Sequence, residues 1–175
     1  ENLAGFRSDA AWVLLGEPGM GKTTAFQMEA EATDGECLRI EKFIHLDIEP
    51  EWREKTLFLD GLDEVRAGSS DDSILLRIRQ RLKSLGNPPF RIACRAADWY
   101  GSTDRADIEA ASPDGKITVL LLEPLRHEDI FRILSENHDI ADPQAFVDAA
   151  EKRGVADLLD NPQTLELLVA AVSGG

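Results

Sequence analysis

Residues 16–23 read GEPGMGKT, which fits the pattern G-x-x-x-x-G-K-[ST] in full. Glycines in such a turn let successive backbone N–H groups curl around a phosphate, and the start of a following helix adds partial positive charge. The lysine supplies a full charge to phosphate oxygens, and the final hydroxyl can bind Mg²⁺. The segment therefore predicts a loop that holds the phosphates of a nucleotide together with a magnesium ion.

The residues on both sides of this segment have the patterns that such a loop needs. Residues 11–15, AWVLL, form an apolar run without alternation, which is typical of a buried parallel strand. Residues 22–32 are mostly helix formers and contain no Gly or Pro. The alternative is a glycine turn with an exposed lysine, but a strand before it and a helix after it favour the phosphate-binding loop.

Further apolar runs predict the rest of a sheet. Strands are predicted over residues 38–48, 56–60, 90–95 and 116–122, and helices over residues 74–85 and near 106–110. Asp72 or Ser73 would cap the first of these helices and Gly86 would stop it. This alternation predicts an α/β fold, that of a P-loop NTPase whose parallel sheet of about five strands is covered by helices on both faces.

The C-terminal third of the chain has only helical patterns. They cover residues 127–136, 143–152, 155–159 and 162–172, and Pro143 and Pro162 suit the first turn of a helix. We therefore predict a P-loop nucleotide-binding domain over residues 1–124 and a small helical subdomain over residues 125–175. Because the chain lacks an initiating Met and stops directly after a helical stretch, we expect it to be a fragment of a longer protein.

A second motif follows at residues 57–64, which read LFLDGLDE. A nucleotide held by a P-loop needs a carboxylate at the end of a neighbouring strand to hold its magnesium, and Asp60 is the candidate. Glu64, or Asp63 beside it, follows the strand end and is the candidate acceptor for a proton from the attacking water. The alternative is that the two acids only begin a solvated turn.

Together the two motifs resemble the NACHT branch of the STAND class of signal-transduction ATPases, in which the D-G-L-D-E form is characteristic. Residues 90–95, FRIACR, look like the sensor strand of that family, and residues 160–168, DNPQTLELL, look like its N-P-x-x-L motif. The resemblance implies that Arg95 senses the terminal phosphate and that Pro162 lies against the adenine. The residues alone leave open an ion-paired arginine and an ordinary first-turn proline.

The predicted site has three groups of residues. Nucleotide binding is assigned to Gly16, Glu17, Pro18, Gly19, Met20, Gly21, Lys22, Thr23, Thr24 and Pro162; catalysis to Asp63, Glu64 and Arg95; and Mg²⁺ binding to Thr23 and Asp60. ATP or ADP and Mg²⁺ are the predicted cofactors. GTP is disfavoured because the chain has no N-K-x-D sequence of the kind that recognises guanine in small GTPases.

The composition narrows the possible partners. The chain has 19 basic and 33 acidic residues and a net charge of −14, which opposes direct binding to nucleic acid or to an anionic membrane. No apolar run approaches the roughly 20 residues that span a bilayer. The two cysteines, Cys37 and Cys94, do not suggest a disulfide framework or a zinc site, so we expect a reducing, cytoplasmic setting.

The family resemblance implies a function as well. It implies a slow ATPase that acts as a signalling switch within a larger regulatory or defence protein, contacts the other domains of that protein, and forms a homo-oligomer in its ATP-bound state. A second hypothesis is a nucleotide-dependent interaction module that binds ATP or ADP with little or no turnover. A third is an AAA-like remodelling enzyme, for which the net charge argues against a nucleic-acid track.

Overall fold

The chain alternates strands and helices up to residue 121 and is helical from residue 127 onward. The structure is a computed structural model that describes residues 3–68, 74–138 and 140–173. Its strands are β1 (Ala11–Leu15), β2 (Glu36–Arg39), β3 (Leu57–Asp60), β4 (Phe90–Cys94) and β5 (Thr118–Leu121). Its α-helices are α1 (Lys22–Ala32), α2 (Ile40–His45), α3 (Leu62–Gly68), α4 (Ile74–Ser84), α5 (Ser102–Glu109), α6 (His127–Arg132), α7 (Pro143–Lys152) and α8 (Pro162–Ser173). Short 3₁₀ turns cover Leu3–Phe6, Pro50–Arg53, Ala96–Asp98 and Ala156–Leu158, and a π-helical turn covers Ile133–Asn137.

The five strands form one parallel sheet in the order β2-β3-β4-β1-β5. Strand β1 lies between β4 and β5, with Val13 opposite both Ile92 and Val119. Every residue of β1, β3 and β4 is buried, as expected for parallel strands that are covered on both faces. The predicted α/β fold with a parallel sheet of five strands is therefore confirmed.

Alternate residues of the strands point to opposite faces of the sheet, and each face has its own core. Val13 and Ile92 belong to the larger core, to which α2, α3, α4 and α5 contribute. The smaller core lies against α1 and contains Trp12, Phe26 and Phe58. The three rings meet edge to face, with centroids 5.5, 5.7 and 6.3 Å apart, a favourable geometry for aromatic pairs. Helix α1 is thus fixed against the strand that precedes it.

The prediction of a second strand over residues 38–48 is wrong beyond its first two residues. The strand is Glu36–Arg39, and the chain turns directly into helix α2. Ile40, Phe43 and Ile44 are all buried, and their spacing places them on one face of a helix. The segment is a helix because that face packs against the core, although its short apolar run is also typical of a strand.

Two other segments differ from their sequence-based expectation. Residues 62–68 form helix α3, which no sequence pattern had predicted. The short helix expected near residues 106–110 begins earlier, at Ser102, and ends at Glu109. The predicted cap at Asp72 or Ser73 lies outside the described residues. Gly86 follows α4 with a φ of +90°, which glycine adopts without strain, in keeping with its predicted role as a stop.

By its internal contacts the chain divides into two compact units. The sheet unit comprises residues 1–17 and 22–122, and the helical unit comprises residues 18–21 and 123–175. The four central residues of the GEPGMGKT segment are therefore grouped with the helical unit, although the residues on both sides of them belong to the sheet unit.

The helical unit has a core of its own. Helices α6, α7 and α8 and the π-helical turn contribute buried side chains such as Leu134, Val147 and Leu165. Pro143 and Pro162 are the first residues of α7 and α8, the positions that their sequence context predicted. Within the described ranges, each helix is too short or too polar to cross a lipid bilayer.

Candidate nucleotide-binding site

The glycine-rich loop leaves the sheet at the end of β1. The backbone N–H of Gly16 donates to the carbonyl of Cys94, 3.3 Å away, so the first loop residue is still fixed to the neighbouring strand. A Cβ on Gly16 would come within 3.2 Å of the Leu122 Cβ. The start of the loop therefore passes closely over the residue that follows β5, which explains why a glycine suits this position.

Lys22 holds the base of the loop. Its Nζ donates to the carbonyl oxygens of Gly16, at 2.7 Å, and of Glu17, at 3.0 Å. These two bonds position the ammonium group beside the loop backbone. Phosphate oxygens can take the place of the two carbonyl oxygens, because an ammonium has three donors that rotate freely.

Thr23 and Asp60, the two predicted metal ligands, lie together. Thr23 Oγ1 donates to Asp60 Oδ2 at 2.7 Å, and Asp60 is buried at the end of β3. A hydroxyl and a carboxylate are oxygen donors of the kind that Mg²⁺ prefers. No cluster of three His, Cys, Asp or Glu side chains suited to a metal occurs in the described part of the chain. This pair fits a magnesium ion that takes its other ligands from phosphate and water.

Asp63 is fully engaged by the residue that follows β4. Its Oδ1 accepts the backbone N–H of Arg95 at 3.2 Å, and its Oδ2 lies 2.8 Å from Arg95 Nε. Asp63 is buried, whereas the Arg95 side chain is half exposed. Since both oxygens of Asp63 have partners, this residue joins the start of α3 to the end of β4 and is the weaker candidate for a proton acceptor.

Glu64 projects from α3 and is half exposed. Its Oε2 is paired with Nη2 of Arg39, and Nη1 of the same arginine lies 3.7 Å from Asp60 Oδ2. One guanidinium thus faces both the candidate proton acceptor and the candidate metal ligand. Glu64 keeps the role predicted for it only if Arg39 gives way to the substrate.

Arg39 is the site residue that the sequence did not indicate. It ends β2 and lies opposite Asp60 in the parallel register of β2 and β3. The expected strand over residues 38–48 placed Arg39 near the beginning of a strand, away from the edge of the sheet where functional side chains gather. Had the second strand been predicted to end at Arg39, this side chain would have been expected with the functional residues at the carboxyl ends of the strands.

A cavity of about 250 Å³ lies beside this group. Arg39, Asp60 and Glu64 line it, together with Arg77 from α4 and apolar side chains from α2 and α3. Within the described ranges Arg77 has no ion-pair partner. Glu64 therefore adjoins open space into which its partner arginine can move.

The tip of the loop, residues 18–21, contacts the start of α8 within the helical unit. Asn161 Nδ2 donates to the Pro18 carbonyl at 2.8 Å, and the Gln163 backbone N–H donates to the Gly19 carbonyl at 3.3 Å. The predicted adenine contact, Pro162, lies between these two residues at the first position of α8. Its neighbours in sequence are thus the ones that contact the loop.

The other predicted binding residues are accessible or partly so. Glu17 and Thr24 are exposed, and Met20 and Gly21 are partly buried. Cys94, at the end of β4, is not a candidate nucleophile, because burial raises the pKa of its thiol to about 12. The chemistry available at this site is therefore that of an ammonium, a hydroxyl and carboxylates.

No protein-family model matches the chain, and no curated protein sequence is significantly similar to it. Among solved structures, it resembles domain III of the replication initiation protein DnaA of Thermotoga maritima, with a TM-score of 0.58 and 15% sequence identity. The match covers 99% of this chain and 82% of the other. Identity at this level shows the fold alone. Together with the glycine-rich loop after β1 and the carboxylate of Asp60 at the end of β3, it shows that the chain has the fold of a P-loop NTPase.

Proposed function

We propose that the chain binds ATP or ADP with Mg²⁺ at residues 16–23 and hydrolyses ATP slowly. The observation that carries this proposal is the 2.7 Å hydrogen bond from Thr23 to Asp60, because it joins the end of the glycine-rich motif to a buried carboxylate at the end of β3, which β4 separates from β1 in the sheet. A hydroxyl, a carboxylate and the ammonium of Lys22 are the donor set that magnesium and a triphosphate need.

The residues divide the work of hydrolysis among them. Lys22 neutralises charge on the phosphates, and Thr23 and Asp60 hold the magnesium ion. Bound magnesium supplies electrostatic stabilisation of the charge that develops on the transferred phosphoryl group. Glu64 accepts the proton of the attacking water once its carboxylate has left Arg39, and Asp63 keeps Arg95 at the end of β4.

The larger role we propose is that of a NACHT-like signalling switch in a regulatory or defence protein that assembles in its ATP-bound form. The support is the pair of sequences D-G-L-D-E, which runs from the last residue of β3 into α3, and N-P-x-x-L at the start of α8. The helical unit would respond to whether ADP or ATP is bound, since only a ligand with different affinities for two states can shift their balance.

The second candidate function is a nucleotide-dependent interaction module with little or no turnover. It is favoured by the ion pair of Glu64 with Arg39, which occupies the carboxylate that hydrolysis needs. If Arg39 keeps this partner when ATP is bound, the chain will hold its nucleotide without cleaving it.

Titration calorimetry with Mg-ATP tests nucleotide binding. Lys22→Ala should weaken binding about tenfold to a hundredfold, because hydrogen bonds to charged groups contribute roughly 1.5–3 kcal/mol. The control is Lys152→Ala, which removes an exposed lysine at the end of α7 and should change nothing. Equal affinities for wild type and Lys22→Ala would refute the proposed site.

Phosphate release separates the two candidate functions. Glu64→Gln should bind Mg-ATP as wild type does. It should release phosphate more slowly by at least about a hundredfold, since a positioned general base contributes roughly 10²–10⁴-fold. A wild-type protein that binds Mg-ATP and releases no phosphate above background would favour the interaction module.

A further inference from the structure

We propose that Asn161 is a positioning residue for the phosphate-binding loop: its side-chain amide fixes the tip of the loop so that backbone N–H groups face the nucleotide phosphates. The inference rests on the proposed nucleotide binding and goes beyond it, because it assigns a role in phosphate recognition to a residue of the helical unit. All the contacts that carry it lie within that unit, to which loop residues 18–21 belong.

The Asn161 side chain caps α8 and also forms a hydrogen bond to the loop. Its Oδ1 accepts the backbone N–H groups of Gln163, at 3.0 Å, and Thr164, at 3.4 Å, and so caps the start of α8. Its Nδ2 donates to the Pro18 carbonyl at 2.8 Å. Capping alone would be served equally well by Ser or Asp. Of these three side chains, only that of Asn has a donor nitrogen separate from its capping oxygen, and this nitrogen is the atom that reaches the loop.

A second contact fixes the next peptide of the loop. The backbone N–H of Gln163 also lies 3.3 Å from the Gly19 carbonyl. A Cβ on Gly19 would come within 2.6 Å of Gln163 Oε1 and within 2.7 Å of Asn161 Oδ1, and Gly19 has a φ of +78°. The loop backbone at Gly19 thus lies so close to the start of α8 that a side chain at this position would clash with it.

Anchored carbonyls orient the N–H groups of the same peptides. A trans peptide is planar, so its C=O and N–H point in opposite directions. With the Pro18 and Gly19 carbonyls directed at α8, the N–H groups of Gly19 and Met20 point away from that helix. Among the described residues, neither of these N–H groups has a hydrogen-bond acceptor. Successive free N–H groups in a turn of this kind form an anion-binding concavity.

Without its anchor this tip would have unusual freedom. Gly19 and Gly21 both have positive φ angles, and glycine samples more backbone conformations than any other residue. A loop that must be ordered when the phosphate arrives binds more weakly than one that is ordered beforehand. The hydrogen bond from Asn161 therefore contributes to nucleotide affinity without touching the nucleotide.

The decisive variant is Asn161→Ser, measured by titration calorimetry with Mg-ADP. Serine retains an oxygen that can cap α8, and it has no donor long enough to replace Nδ2 at the Pro18 carbonyl. We expect the Kd for Mg-ADP to rise about tenfold, the effect of losing one hydrogen bond. The thermal unfolding midpoint without nucleotide should stay near that of wild type because the cap remains.

The matched control is Thr164→Val, at the same helix start. Thr164 Oγ1 donates hydrogen bonds to the carbonyls of Leu158 and Asn161 and makes no hydrogen bond to the loop. This variant should leave the Kd for Mg-ADP unchanged even if the unfolding midpoint falls. An equal loss of affinity in both variants would overturn the inference, because it would reduce Asn161 to a helix cap.

A measurement without nucleotide tests the physical cause directly. Backbone ¹⁵N relaxation should give lower order parameters for Gly19 and Gly21 in Asn161→Ser than in wild type, and unchanged values in Thr164→Val. If wild type binds Mg-ADP and Asn161→Ser binds it equally well, the inference fails while the proposed function stands. If wild type binds no nucleotide, the proposed function itself fails.

Discussion

Two of the ion pairs of helix α3, those of Arg66 and Glu64, differ in geometry and in burial. Arg66 makes two parallel 2.7 Å bonds to Asp104 of α5, and the side chains are only 15% and 2% exposed. Two residues earlier, Glu64 pairs with Arg39, and these side chains are 50% and 47% exposed. Burial makes the first pair expensive to break, whereas water and salt can replace either partner of the second.

The difference indicates that one ion pair of α3 stabilises the fold and that the other can be exchanged at the candidate site. The buried pair fixes α3 to α5, and Asp104 also accepts the backbone N–H of Tyr100 at 2.8 Å. The exposed pair holds a carboxylate that the proposed hydrolysis requires to be free. A rigid helix with one exchangeable ion pair can present Glu64 to a substrate without moving its own backbone.

The largest expected effect is the loss of the buried pair in Asp104→Ala. The change leaves the Arg66 guanidinium buried without its carboxylate, and we expect a loss of about 3–5 kcal/mol in the free energy of unfolding. Urea unfolding measures it. The control is Asp107→Ala, on the same helix, whose exposed carboxylate lies 3.5 Å from Arg79 and should contribute at most about 1 kcal/mol. Similar losses in the two variants would abolish the distinction.

An intermediate effect is expected from Asp63→Ala, because only one partner of its ion pair is buried. The half-exposed Arg95 can turn to solvent, and its backbone N–H loses its acceptor. We expect unfolding to become easier by about 1–3 kcal/mol, the cost of leaving one hydrogen-bonding group unpaired. Asp63→Asn retains an acceptor oxygen and should lose less. Equal losses in the two variants would mean that the negative charge, which both remove, matters more than the hydrogen bond.

The smallest effect on stability is expected from Arg39→Gln. An exposed ion pair contributes roughly 0.2–1 kcal/mol, and this contribution should vanish in 1 M salt, where the screening length falls to about 3 Å. Arg53→Gln removes the same charge from an exposed position and serves as the control. A salt-independent loss above about 2 kcal/mol in Arg39→Gln would mean that the pair is structural, like that of Arg66.

Much of the fold and the core of the candidate site could be predicted because their signals are local. The apolar run of residues 11–15, the glycines and the Lys22-Thr23 pair are adjacent in sequence, and Asp60 ends a run of its own. In a parallel sheet the carboxyl ends of all the strands lie on the same side, so two local patterns were enough to bring Thr23 and Asp60 together.

What could not be predicted depends on contacts between distant residues. Arg39 acquires its partners through the register of β2 against β3, and α2 is a helix because Phe43 packs into the core. The sequence indicates Asn161 only as part of the N-P-x-x-L motif, and its hydrogen bond to Pro18, 143 positions away, has no sequence signature. The finer NACHT assignment stays a proposal because many functions share one fold.

The aromatic cluster of Trp12 with Phe26 and Phe58 has a spectroscopic consequence. The other tryptophans, Trp52 and Trp99, and the single tyrosine also precede residue 122, so residues 123–175 contribute no indole or phenol chromophore. The indole of Trp12 is buried, so its fluorescence emission lies at short wavelength in the folded protein. The wavelength of tryptophan emission therefore reports the thermal unfolding of the sheet unit alone. Circular dichroism of the helices follows both units, and a comparison of the two melting curves reports whether they unfold together.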